Sequence, residues 1–100
     1  MLEIDEYADA VLAVVETIPA GKVMSYGQIA AVVGADLGRG GPRQVARVVR
    51  DLGAGVPWWR VLRADGSFAP EVATRQGDRL RAEGIAVRGD RVPRTAFLTV

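Results

Sequence analysis

The sequence contains no cysteine and no histidine. The first absence excludes disulfides, thiolate metal sites and any sulfur nucleophile. The second removes the commonest general base and metal ligand, and with them Ser-His-Asp and Cys-His catalysis and zinc sites built from Cys and His. An enzyme built on this chain would have to work with carboxylates, Lys22, tyrosine or arginine. No metal and no cofactor is expected. Long apolar runs are missing too: no segment approaches the ~20 residues that span a bilayer. The N-terminus is acidic where a secretion signal would be basic. A soluble, cytoplasmic protein is the expectation.

What is present fits one small domain over residues 1–100, with 49% hydrophobic and 25% charged residues. A chain of this size buries about two-thirds of the surface it exposes when unfolded. Its core is modest, so its site is expected to be a surface cleft or groove. The net charge of +1 hides an uneven distribution. Glu3, Asp5, Glu6, Asp9 and Glu16 stand in the first 21 residues with no base among them. Lys22, Arg39, Arg43, Arg47 and Arg50 then face Asp36 alone up to residue 50. Such a basic stretch is the footprint of a polyanion-binding element, and a solvated surface gives the same count.

Ala8, Val11, Leu12, Val15 and Ile18 recur at the steps of an amphipathic helix, predicted from about Asp5 to Ile18. Acids in its first turns suit the positive end of the helix dipole, and Pro19-Ala20-Gly21 stops it. Ser25-Tyr26-Gly27-Gln28 has the spacing of a capping box, so a second helix is predicted from Tyr26 to a stop at Gly34. After a glycine-rich connection over residues 35–41, Pro42 opens a third helix that runs to about Leu52. Val45, Val48, Val49 and Leu52 form its apolar face, and Arg43, Gln44, Arg47 and Arg50 the rest. Two short helices, the second basic, outline a helix-turn-helix, although the connection exceeds the usual three or four residues. A helical hairpin without a DNA role has the same pattern. Residues 56–63 read as a strand leading into an Asp65-Gly66 hairpin turn. Thr74 to Glu83 is predicted as a polar helix ending at Gly84, followed by an extended pair that turns near Gly89-Asp90. The fold class is mainly α with a short β-hairpin.

Both tryptophans, Trp58 and Trp59, stand between Pro57 and Arg60. Neighbours in a strand point to opposite faces, so at most one of them faces the core. One ring capping the core while the other plugs a hinge is the alternative to a stacking surface. The order Ile18-Pro19-Ala20-Gly21-Lys22-Val23, Ser25-Tyr26-Gly27-Gln28-Ile29-Ala30, Pro42-Arg43-Gln44-Val45-Ala46 and Val56-Pro57-Trp58-Trp59-Arg60-Val61 resembles the DNA-binding domain of O6-alkylguanine-DNA alkyltransferases. The likeness covers about residues 5–85 and implies a winged-helix-like helix-turn-helix of that family's C-terminal type. Those enzymes carry Pro-Cys-His-Arg where this chain has Pro57-Trp58-Trp59-Arg60. Their cysteine accepts the alkyl group through a relay of histidine and a glutamate, at whose position Glu83 falls. An indole offers a donor and a π face but no thiolate, so the transfer chemistry is absent. A tryptophan at the cysteine position marks the alkyltransferase-like subgroup, which commonly keeps a histidine where Trp59 stands. With no relay to serve, Glu83 is expected to be an ordinary helix-end carboxylate.

The resemblance implies roles residue by residue. Arg43 would enter the base stack in place of an extruded nucleotide, with a plain phosphate contact as the alternative, and Tyr26 would rotate the 3′ phosphate. The third helix would lie in the minor groove with the small Ala46 on its floor. Arg47 and Arg50 would reach phosphates, with Ser25 and Gln44 as further DNA contacts. Tyr26, Pro57, Trp58, Trp59, Arg60 and Val61 would form the lesion pocket, Trp58 stacking on the flipped base. The loop that supplies a covering arginine in some relatives reads Ala69-Pro70-Glu71 here, which leaves Arg75 as a substitute. The implied function is a non-enzymatic, monomeric sensor of O6-alkylguanine in duplex DNA that hands the lesion to nucleotide-excision repair proteins. Other readings are a minor-groove DNA-binding or regulatory module without lesion preference, a residual glycosylase or transferase using tyrosine or a carboxylate, and a protein-interaction domain using the Trp pair.

Overall fold

The computed structural model describes residues 2–37 and 40–99. Gly38 and Arg39 of the glycine-rich connection, the two terminal residues, and the side chains of residues 2–5 and 35–37, Glu3, Asp5 and Asp36 among them, lie outside the described residues. Helix α1 spans Leu2–Thr17. Ala8, Val11, Val15 and Ile18 of its predicted stripe are buried, and Leu12 is half-buried at the edge. The next segment enters a short strand, β1 (Met24–Ser25), before α2 (Tyr26–Leu37) begins. The capping box forms: the Gln28 N–H donates to Ser25 Oγ at 3.0 Å, and the Ser25 N–H donates to Gln28 Oε1 at 2.9 Å.

Gly34 does not stop α2. Its φ is not positive, and a helical glycine costs only about 1 kcal/mol against alanine. Burial of Ile29, Ala30 and Val33 among α1 and the next helix offsets that cost. The extra turn shortens the connection to residues 38–41, the length usual in a helix-turn-helix. Helix α3 follows as predicted, Pro42–Leu52, with Gln44 Oε1 accepting from the Gly41 N–H at 3.0 Å. Val45 and Val49 are buried, whereas Leu52, expected on the apolar face, is 56% exposed. The buried Gly53, four residues after Val49, takes the inward position beside the Val49 and Trp58 side chains, and Leu52 falls on the solvent side.

The strand predicted over residues 56–63 forms only at its end. Residues 58–60 make a 3₁₀ turn, in which the Arg60 N–H donates to Pro57 O at 3.0 Å. Strand β2 (Val61–Leu62) then pairs with β1 in parallel, Met24 opposite Val61. On the other side of β1, Val23 bridges Phe97, also in parallel. The chain reverses at Asp65-Gly66 as expected, with the Arg63 N–H donating to Ser67 O at 3.3 Å. Gly66 has φ +86°, and a Cβ there would lie 2.8 Å from Val92 O, so only glycine fits. This wing meets the second reversal at Gly89-Asp90, where Arg88 and Arg91 exchange backbone hydrogen bonds. Between them lies α4 (Ala73–Ala82), ended just before Gly84. The result is a mainly helical, winged helix-turn-helix. One core cluster joins α1, α2 and α3; a second gathers Val23, Leu62, Phe68, Leu80, Ile85, Val92 and Ala96. Among the described residues no helix is long and apolar enough to cross a membrane.

Candidate nucleic-acid interface

Helix α3 buries one face, so its other side chains must face outward. Arg43, Gln44, Arg47 and Arg50 are all exposed, and positions 43, 47 and 50 share one stripe of the helix. Arg50 contacts Asp51 at 3.1 Å; Arg43 and Arg47 make no hydrogen bond or ion pair among the described residues. Guanidinium groups left without an internal partner are available to an external anion. Ser25, expected to contact DNA, is 5% exposed with its Oγ committed to the α2 cap. It is a structural residue, because capping requires the hydroxyl to point back at the helix.

Beside this stripe lies a cleft of about 520 Å³ between the starts of α2 and α4, the inner side of α3 and the tryptophan turn. Tyr26, Ala46, Val49, Trp58, Val61 and Gln76 line it, with Arg50, Arg63, Glu71 and Arg75 among its charged residues. The Arg75 guanidinium stands 5.4 Å from the Trp58 ring centroid, a cation–π distance. Burial pushes the Tyr26 phenol pKa up, against a smaller opposing pull from Arg63. The phenol therefore keeps its proton at neutral pH and can donate.

Pro57, Trp59 and Arg60, expected in the pocket, do not line the cleft. The turn at residues 58–60 sends Trp59 and Arg60 behind Trp58, toward Glu83. Trp59 Nε1–H donates to Glu83 Oε2 at 2.8 Å, and Arg60 donates to both carboxylate oxygens, its Nη2 at 2.6 Å from Oε2. The Gly21 N–H adds a bond to Oε1 at 3.1 Å, and Arg60 Nη1 reaches Ile18 O at 2.8 Å. The ion pair is nearly enclosed, with side chains 16% and 12% exposed. Burial by itself would raise the Glu83 pKa, but the bonds from Arg60, Trp59 and the Gly21 amide outweigh it and hold the carboxyl below its ordinary value. Glu83 is thus the brace that ties the tryptophan turn to the end of α1, and the expectation of an ordinary helix-end carboxylate is corrected. Arg79 and Arg60 flank the Trp59 ring, at 4.4 and 5.5 Å from its centroid, and the Trp58 and Trp59 rings meet edge-on at 5.9 Å.

Sequence reasoning missed Gln76. It is 3% exposed, and its Nε2 donates to Trp59 O at 3.0 Å and Val61 O at 2.9 Å, clamping both ends of the turn. A signal existed: Ala73, Gln76, Gly77 and Leu80 have the spacing of an inward helical stripe, with one polar residue in it.

A basic helix beside a tryptophan-walled cleft, on a winged helix-turn-helix, defines a class, and comparison with known proteins agrees. Residues 6–85 match the family described as "6-O-methylguanine DNA methyltransferase, DNA binding domain", and the chain belongs to it. Within that family it is a homologue of the alkyltransferase-like proteins. It is 35% identical over 92 residues to alkyltransferase-like protein 1 of Schizosaccharomyces pombe, covering 86% of this chain and 82% of the relative. A DNA base-flipping protein of Vibrio parahaemolyticus is 37% identical over 87 residues, covering 83% and 84%. Among solved structures, S. pombe Atl1 in complex with damaged DNA containing O6-carboxymethylguanine superposes with a TM-score of 0.73 at 36% identity, covering 84% of this chain and 81% of that one. The S. pombe protein in complex with DNA gives a TM-score of 0.81 at 30% identity, covering 96% and 97%. The sequence holds no cysteine, so it offers no thiol that could accept an alkyl group.

Proposed function

We propose that this protein binds O6-alkylguanine in duplex DNA, holds the extruded base in its cleft without chemistry, and presents it to nucleotide-excision repair proteins. The observation that carries this reading is Trp58. It forms a wall of the cleft, directly beside the exposed arginine stripe of α3. Likeness to a protein solved on DNA containing O6-carboxymethylguanine supports it.

In this mechanism α3 lies along the minor groove, about 6 Å wide, with Ala46 facing the floor. Arg47 and Arg50 meet phosphates, which gives affinity without sequence preference. Arg43, near the start of α3, enters the stack, where its planar guanidinium faces the orphaned partner base. Tyr26 donates to the phosphate that must rotate. Extrusion costs a few kcal/mol, less for a base that pairs poorly. Stacking on Trp58 returns roughly 1 to 3 kcal/mol, and burial of the alkyl carbons adds about 0.8 kcal/mol per methylene. A cleft of about 520 Å³ has room for a nucleobase. Arg75, over Trp58, covers the site.

The test is binding at fixed salt to duplexes that differ by one O6-methyl group. A clear preference for the modified duplex, lost in Trp58→Ala while background binding stays, supports the proposal. Equal affinities reduce the protein to a general minor-groove binder.

A further inference from the structure

Gln76 is the most deeply buried polar side chain on the cleft wall. Both hydrogens of its amide nitrogen face backbone carbonyls, Trp59 O and Val61 O. That double commitment fixes the amide plane and decides which end of the group is free. Oε1 accepts no hydrogen bond among the described residues, and yet the residue lines the cleft. Water can serve this oxygen while the cleft is open. A base that fills the cleft displaces the water, and the oxygen must then meet a donor or stand unpaired, a penalty larger than the gain from an ordinary hydrogen bond.

We infer that Gln76 Oε1 is a fixed acceptor that reads the exocyclic 2-amino group of the purine held in the cleft. The inference rests on the base-binding role proposed above and adds the residue that selects the base. An O6-alkylated guanine has lost the N1 proton, so its 2-amino group is the one donor left on its pairing edge. Adenine carries only C2–H there and would strand the acceptor. A site built to hydrogen-bond a ligand N–H rejects analogues that lack it more strongly than an apolar wall rejects a shape. Other cleft groups are less suited: Glu71 and Arg75 are exposed and solvated, and the Tyr26 hydroxyl can donate or accept and so discriminates little.

The experiment compares wild type and Gln76→Lys on duplexes carrying O6-methylguanine or O6-methylhypoxanthine, which lacks the 2-amino group. Each modified base is set opposite an abasic site, so that differences in pairing drop out. Lysine can still donate to both carbonyls and keep the turn clamped, but it offers no acceptor. Wild type is expected to bind O6-methylguanine about 5-fold more tightly than O6-methylhypoxanthine, and Gln76→Lys to bind the two equally. Equal binding by the wild type overturns the assignment without any variant, provided that the preference for O6-methylguanine over guanine in paired duplexes persists. A 5-fold ratio that survives in folded Gln76→Lys also overturns it. A wild type indifferent between modified and unmodified DNA overturns the lesion pocket itself, and the assignment with it.

Discussion

The helical half of the molecule and the tryptophan strip of its wing half are held in place by different means. In the helical half, α1, α2 and α3 interlock through Val11, Val15, Ile18, Ile29, Val33, Val45 and Val49, all buried. In the wing half, the strip from Pro57 to Leu62 has only two residues of strand, and polar side chains hold it from behind. Glu83 gathers Trp59, Arg60 and the Gly21 amide, and Gln76 takes the carbonyls of Trp59 and Val61. Regular helices satisfy their own backbone and need only apolar packing. A strip that departs from the ladder to aim Trp58 into a cleft leaves carbonyls and indole donors to be satisfied by others.

Several changes separate the two modes. The largest effect is expected for Glu83→Ala, which strands the nearly enclosed Arg60 guanidinium. A loss of about 3 kcal/mol in denaturant unfolding is expected, in the range for a broken buried pair. Gly66→Ala forces a Cβ toward Val92 O at positive φ and should cost about 2 kcal/mol, again in the wing half. Trp58→Ala should weaken binding to the O6-methylguanine duplex by roughly 1 to 3 kcal/mol and barely change binding to the unmodified one, as read by fluorescence anisotropy. Ser25→Ala removes a cap in the helical half and should cost about 1 kcal/mol in the same unfolding assay. The smallest effect is Arg47→Ala, which should lower the salt slope of DNA binding by about 0.9 for modified and unmodified duplexes alike.

Acid provides a further contrast. The folded Glu83 pKa lies below its unfolded value, so its stabilisation is present above the ordinary glutamate range, about 4.3, and is lost as pH falls through the lowered value. Wild type should lose more stability between pH 5 and about 3 than Glu83→Gln does, since glutamine has no proton to gain.

The same division explains what the sequence made legible. Three helices follow from apolar periodicity and from the Ser25 and Gln28 cap, because those signals are local. The end of α2 at Leu37 and the exposure of Leu52 depend on which neighbours are packed against them, which a helical repeat does not encode. In the wing half, the Asp65-Gly66 and Gly89-Asp90 turns were legible from their dipeptides. The 3₁₀ turn at residues 58–60 was not, because its bonds to Gln76 and Glu83 join residues 15 to 24 positions apart. Trp58 and Val61 do line the cleft, whereas Trp59 and Arg60 serve the brace behind it; adjacency in sequence could not separate the two tasks.

In the proposed function, lesion binding belongs to the cleft and general DNA affinity to the α3 stripe. The most direct measurement is the dissociation constant for an O6-methylguanine duplex and its unmodified twin across a range of salt, with the protein mass checked afterwards. Two parallel lines separated by a constant factor, with no mass gained, are the expected result: the same phosphates are met in both complexes, and the cleft adds a salt-independent term. Coincident lines would mean that the cleft adds no lesion binding, and a protein heavier by one methyl group would mean that it takes up the alkyl group; either overturns the proposed function.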